Sequence, residues 1–383
     1  MNLVNDPSSV NKNICFIAVH CGAGYHSPRK SLIYKQVCST ACRKAMVALH
    51  NGQTCDAACV LAVKILEDCA ETNAGFGSNL TINGTVECDA SVMDENGFGA
   101  VGAVQSCMNP ILIAQSILDK ERLGKMSAGR IPPCLLVSSG AIEWARQHDV
   151  DLCEPSKLIS DKALRQFREY SKQLSVIRKR KHFDEINDDD RTSRKRYDTV
   201  GAIAIDNNGN VASAISSGGI VLKQAGRVGS AAHYGAGCWI ENSTDQRYLR
   251  HKGACATSGC GEYLIKTMLA MNFTRKIISL NKDIDVDDIK KTVCDAFIDS
   301  DRLHTDDDRF MGLIAIRVQS SLESQHKFLE FIAVHTTKSF CFAYQNEGDS
   351  DPEVNISRMP DNLVGKDVCC FLAKTNFSKN TLH

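Results

Sequence analysis

A charged stretch near the middle of the chain constrains its folding most. From Arg178 to Arg196 the sequence reads RKRKHFDEINDDDRTSRKR, with two large apolar residues. Such a segment cannot bury enough surface to offset its ordering entropy. Residues 150–198 therefore read as an exposed, largely disordered linker, with a helix over Asp161–Lys181 at its start. The pattern then changes abruptly. Thr199–Ile205 and Asn210–Ser216 alternate like strands around Asp206-Asn207-Asn208-Gly209, a hairpin signal. The chain thus divides into residues 1–198, with a folded core over 13–150, and residues 199–383, which together form one domain.

The first half opens on a buried strand, residues 13–20, ending at the glycine-rich turn Cys21–Gly24. Helices are expected over about 30–50 and 54–70, the second with Ala58, Leu61, Ala62, Ile65 and Leu66 at helical spacing. Strands follow at Val86–Val92 and Gly99–Val104, then a helix opened by Asn109-Pro110. A short strand at Leu135–Ser138 leads into a helix through Trp144. After the hairpin come helices near 260–273 and 285–298, and strands at 311–318, 328–336 and 340–344. Strands and helical pairs in both halves point to sheets packed between helix layers, an α+β architecture.

Lysine and arginine together number 45, as do aspartate and glutamate, so net charge favours neither nucleic acid nor an anionic membrane. No apolar run approaches the ~20 residues that span a bilayer. The N-terminus lacks the basic-then-apolar pattern of a signal peptide. The 18 cysteines are expected to be reduced and to pack as small hydrophobes. No CxxC occurs, and adjacent Cys369 and Cys370 would make poor co-ligands, so spacing indicates no metal and nothing calls for a cofactor. His20 at a strand end reads as structural, and His304 with Asp306, Asp307 and Asp308 as a solvated loop.

The chemistry centres on Tyr197-Asp198-Thr199-Val200-Gly201. A threonine hydroxyl is a weak nucleophile without a base. Cutting before Thr199 would put a free α-amine beside that hydroxyl, with an ordinary pKa near ~8. An Asp-Thr dipeptide alone equally marks a cap or a strand start. The surroundings add SSGG (216–219), GRVG (226–229), TSGCGE (257–262), HCGAG (20–24), TNAGFGS (72–78) and DASVMD (89–94). These small-residue blocks can bring backbone N–H groups close to a substrate.

Taken with SAGRIPPC, DTVGAIAID and GRVGSAAHYGAGCW, these blocks resemble the type 2 asparaginase family of N-terminal-nucleophile hydrolases. The resemblance covers about 14–150 and 199–345. SAGRIPPC and the paired serines of SSGG look like its threonine aspartase (taspase) branch, whose members are endopeptidases. The resemblance implies a four-layer αββα sandwich and an inactive precursor that cuts itself at Asp198–Thr199. It implies Thr199 as nucleophile, with its freed amine as base and Ser217 orienting that amine. Arg227 would bind a substrate carboxylate, and Ser258 and Gly259 would form the oxyanion hole. Gly24 and Asn73 would lie in loops lining the nucleophile, and Asp198 would face Arg227 in the precursor.

Ser230 stands where the small-molecule asparaginases carry an aspartate for the substrate's α-amine, which favours an endopeptidase cutting after aspartate. The alternatives are a small-molecule L-asparaginase or isoaspartyl peptidase, or an inactive nuclear binding protein. Arg178–Lys181 with Arg191 and Arg194–Arg196 resembles a bipartite nuclear-import signal. Interleaved acids argue against a phosphate-binding surface. The expected setting is the nucleus, also the cytoplasm, with the import machinery as a partner. The resemblance implies transcription or chromatin regulators as substrates and a second αβ unit as partner.

Overall fold

The computed structural model describes residues 15–180, 198–244, 249–280, 282–321 and 327–377. Strand β1 (Phe16–Gly24) leads to helices α1 (Ser31–His50) and α2 (Cys55–Glu67). Strands β2 (Cys88–Asp94) and β3 (Phe98–Val104) precede α3 (Pro110–Arg122), β4 (Leu135–Val137), α4 (Ser138–Gln147) and α5 (Asp161–Arg180). The second half begins with β5 (Val200–Ile205) and β6 (Val211–Ser217), then β7 (Cys238–Thr244) and β8 (Leu249–Gly259). Helices α6 (Gly261–Thr267), α7 (Leu269–Ile278) and α8 (Val286–Val293) follow. Strands β9 (Met311–Ser321), β10 (Lys327–His335), β11 (Ser339–Asn346), β12 (Glu353–Arg358) and β13 (Cys369–Phe377) complete the described chain.

Eight strands form one sheet in the order β12-β11-β1-β5-β6-β2-β3-β4, and five form another in the order β13-β10-β9-β8-β7. Strand alternation explains how they stack. On β1, Phe16 and Ala18 join the core between the sheets, while Ile17, Val19 and Cys21 join the core under α1, α2 and α3. On β5 and β6, Ile203, Ile205, Val211 and Ile215 take the inter-sheet side, and Ala202, Ala204, Ala212 and Ala214 face the helices. The alanines let the helices approach closely, while the bulky residues fill the space between sheets, each contributing about 1.5–3 kcal/mol. Helices α7 and α8 cover the outer face of the smaller sheet through Phe273, Ile277, Ile289 and Val293. The layers therefore run helix, sheet, sheet, helix.

Several expected boundaries move. The buried seam of α2 runs through Ala58, Cys59, Ala62, Val63 and Leu66, with Leu61 and Ile65 only partly covered. The helix expected over 260–273 breaks at Met268, which takes a left-handed φ of 46°. The chain continues past residue 344 into β12 and β13. The expected linker begins later than residue 150. Leu158 and Ala163 are buried against Leu80, Val86 and Cys88, and Lys162 donates to the carbonyls of Glu71 and Thr72 at 2.7 and 3.0 Å. Residues 181–197, including most of the basic pattern, lie outside the described residues, as do the side chains of 177–180.

Candidate active site

Three of the blocks expected as glycine-rich turns prove to be strand ends. Ser216 and Ser217 close β6, and Thr257, Ser258 and Gly259 close β8. Cys21–Gly24 is the end of β1, with its register against β11 broken by a bulge between His20 and Ala23. These ends converge on the start of β5. One cleft is lined by Asn73, Asp198, Thr199, Ser217, Arg227, Ser230 and Gly259, with Gly219, Ile220, Gly229 and Gly261 between them.

Thr199 is buried, and its hydroxyl donates to Ser217 Oγ at 3.1 Å. Ser217 Oγ also accepts from the Gly219 N–H at 3.0 Å, so its own proton remains for a further acceptor. Asn73 fixes this corner. Its Nδ2 donates to the Gly219 carbonyl at 2.8 Å, and its carbonyl accepts from the Gly218 N–H at 2.8 Å. Gly218 admits no side chain, since a Cβ would lie 2.5 Å from Ser78 Cβ.

Asp198, the residue before Thr199, rests on Gly22. A Cβ at Gly22 would fall 2.5 Å from Asp198 Cα, and Gly22 has φ +118°. Beneath β5, His20 is fully buried. Burial drives its pKa down to about 3, with the Thr199 backbone pulling the other way, so the ring is neutral at pH 7.

Arg227 sits among glycines. A Cβ at Gly219, Gly229 or Gly261 would lie 2.9, 2.7 or 2.7 Å from its guanidinium nitrogens. Its loop is held by Asp89, whose carboxylate accepts from the N–H groups of Gly229 at 2.8 Å and Ala103 at 2.9 Å. Burial raises the pKa of Asp89, with Lys223 opposing the shift. Arg227 Nε donates to Glu262 Oε1 at 2.8 Å. The expected contact between Asp198 and Arg227 is thus replaced by one to Glu262, and Asp198 Oδ1 is buried without a hydrogen-bond partner among the described residues. Glu262 is half exposed, so this pair is weak enough for an incoming carboxylate to displace.

Two expected site residues stand behind the cleft. Ser258 is fully buried, and its Oγ accepts from the Ala23 N–H at 3.0 Å. Gly24 ends β1, where its carbonyl accepts from Ser339 Oγ at 3.3 Å. Both join β1 to its neighbours rather than lining the cleft. Gly259, with φ +142°, does line it, and a Cβ there would strike the Phe310 carbonyl at 2.4 Å. Gly22 and Glu262 lie within the HCGAG and TSGCGE blocks, whose sequence gave neither residue a role of its own. Only their neighbours in space reveal them.

A family model described as asparaginase matches residues 13–340. The human isoaspartyl peptidase/L-asparaginase is 34% identical over 258 residues, spanning 66% of this chain and 74% of its own. The mouse protein of the same description is 32% identical over 262 residues, 66% of this chain and 70% of its own. A plant-type L-asparaginase from Pyrobaculum calidifontis is 32% identical over 274 residues, 70% of this chain and 81% of its own. The fold and cleft define a hydrolase of the N-terminal-nucleophile type. The chain belongs to the type 2 asparaginase family.

Proposed function

We propose that this chain is a precursor that cuts its own Asp198–Thr199 bond, and that it then acts as a threonine endopeptidase cleaving proteins after aspartate, as in the threonine aspartase branch. In the first stage the Thr199 hydroxyl attacks the Asp198 carbonyl, and water hydrolyses the resulting ester. In the second, the freed amine takes the hydroxyl proton, Ser217 orients the amine, Arg227 grips the substrate aspartate, and Gly259 steadies the oxyanion, with Ser258 behind it holding the Ala23 N–H. Losing one oxyanion donor costs about 10²–10³ in rate.

The observation that carries the endopeptidase reading is Ser230. It lines the cleft, where the only carboxylate among the lining residues is Asp198, the residue before the scissile bond. A serine at this position offers an ammonium no counter-charge of its own, whereas a peptide nitrogen needs none. The second reading, a small-molecule L-asparaginase or isoaspartyl peptidase, is favoured by the descriptions of the relatives. The proposed setting is the nucleus, with the basic cluster from Arg178 to Arg196 as import signal, transcription or chromatin regulators as substrates, and a dimer of αβ units as the assembly.

Terminal sequencing of the purified full chain tests the first stage, with a new N-terminus Thr-Val-Gly-Ala expected. The processed protein is then offered L-asparagine, a β-aspartyl dipeptide and a peptide carrying an internal aspartate. Hydrolysis of the peptide alone supports the endopeptidase; turnover of the small substrates alone replaces it with the second reading. An intact, inactive wild-type chain would overturn both and leave a binding protein.

A further inference from the structure

Three thiols from distant parts of the chain meet on the helix-facing side of the larger sheet. Cys21 sits at the β1 bulge, Cys38 two turns into α1, and Cys341 on β11, all of them buried. Their sulfurs lie within 4.8 Å of one another, and Cys38 and Cys341, 303 residues apart, are at 3.9 Å. The buried His26 brings Nε2 to 3.9 Å from Cys21 Sγ, while its Nδ1 is 3.0 Å from Ser339 Oγ. Tyr34 on α1 packs edge-on against the imidazole.

We propose that Cys21, Cys38 and Cys341 bind a structural zinc, and that His26, now beside Cys21 alone, turns in to complete the site. The donor set is the three-thiolate, one-imidazole type that zinc takes in closed tetrahedral sites. With Zn–S bonds of about 2.3 Å, tetrahedral geometry puts sulfurs about 3.8 Å apart, so Cys38 and Cys341 already have the required separation. Ser339 supplies the outer partner that fixes which histidine nitrogen faces the metal. Other buried cysteines of the same core bond singly to the backbone, as Cys59 does to the Ala212 carbonyl at 3.5 Å. That role gives no reason for three sulfurs to converge with an imidazole beside one of them. Binding releases the thiol protons to solvent and changes no oxidation state. The complex carries one net negative charge. The metal would clamp the loop where Gly22 supports Asp198 and Ala23 bonds Ser258.

The full chain, purified without chelator from zinc-supplemented cultures, is expected to hold about one zinc per chain by mass spectrometry of the metal. Replacing zinc with cobalt(II) chloride should give thiolate-to-cobalt charge-transfer absorption. Cys38→Ser or Cys341→Ser should cut bound zinc below about a tenth, since each removes one of four ligands. Cys42→Ser, one turn along α1, should retain it, and Ser339→Ala should weaken affinity about 10–100-fold. If the cysteine variants fail to fold, the wild-type cobalt spectrum decides. Wild-type protein without zinc or the cobalt band, or with a Cys38–Cys341 disulfide as its resting state, would overturn the proposal.

Discussion

At Gly22 the backbone adopts φ +118° with Asp198 directly against it. A methyl group there meets Asp198 Cα as well as the strain of a left-handed φ, roughly 1–2 kcal/mol. Gly22→Ala is therefore expected to displace the scissile peptide and slow self-cleavage by at least about tenfold, read as the fraction processed over time on a denaturing gel. Processing at the wild-type rate would show that the loop does not position the bond. Thr199→Ala should abolish both cleavage and turnover, because no hydroxyl remains beside the carbonyl, whereas Thr199→Ser should retain a measurable part. Arg227→Lys keeps the charge but loses the planar fork. It should lower kcat/KM toward an aspartate-containing peptide about 10–100-fold, the loss of one charge-assisted hydrogen bond. An unchanged kcat/KM would remove Arg227 from substrate binding.

Among the elements, the clearest internal brace is the buried pair Arg317–Glu330, linking β9 and β10 beneath the α7–α8 connection. Arg317 also donates to the Leu280 and Lys282 carbonyls, each at 2.7 Å, and Glu330 accepts from the Ile284 N–H at 3.1 Å. Removing one partner strands the other charge in the core. Glu330→Ala should destabilise the fold by about 3–5 kcal/mol in denaturant unfolding, and a loss under 1 kcal/mol would refute the brace. This pair was invisible in the sequence because β9 and β10 read there as ordinary apolar strands. Local pattern did reveal β5, β6, α1 and α3, each of which carries its own periodicity and turn chemistry. It missed β7 and β8. β8 spans LRHKGACATSG, whose charged half and small half look like loop and turn, and only pairing to β9 makes one strand of them. Similarly, Thr199, Ser217, Arg227 and Asn73 were legible through their motifs. The depth of Ser258 and the Arg227–Glu262 contact depend on how strand ends meet, which spacing does not encode.

At the scale of the molecule, both halves share the larger sheet: β1 lies between β11 and β5, and β2 pairs with β6. Cleavage at residue 198 should therefore leave two polypeptides that co-elute in native size exclusion and separate only in denaturant. Fragments that part without denaturant would contradict this interleaving. Buried titratable groups shape the pH response. Burial lowers the pKa values of His20 and His335 to about 3 and about 4. Their contribution is full above the unfolded value of about 6.5 and fades as pH falls toward 4 and 3. Glu67, raised by burial to about 8, acts oppositely: its contribution is full below about 4.5 and is lost as pH rises through 8. Glu67→Gln should flatten the alkaline decline in melting temperature between pH 6 and 9, relative to wild type, and leave the acid limb unchanged. A new chain end is ordinarily the part of a protein that frays first. Here it would arise where a central strand begins, with Val200 paired to Ser216 and Gly201 to His20 on opposite sides. The severed end would inherit the stiffness of the sheet's interior, and the amine that cleavage creates would be born already aimed.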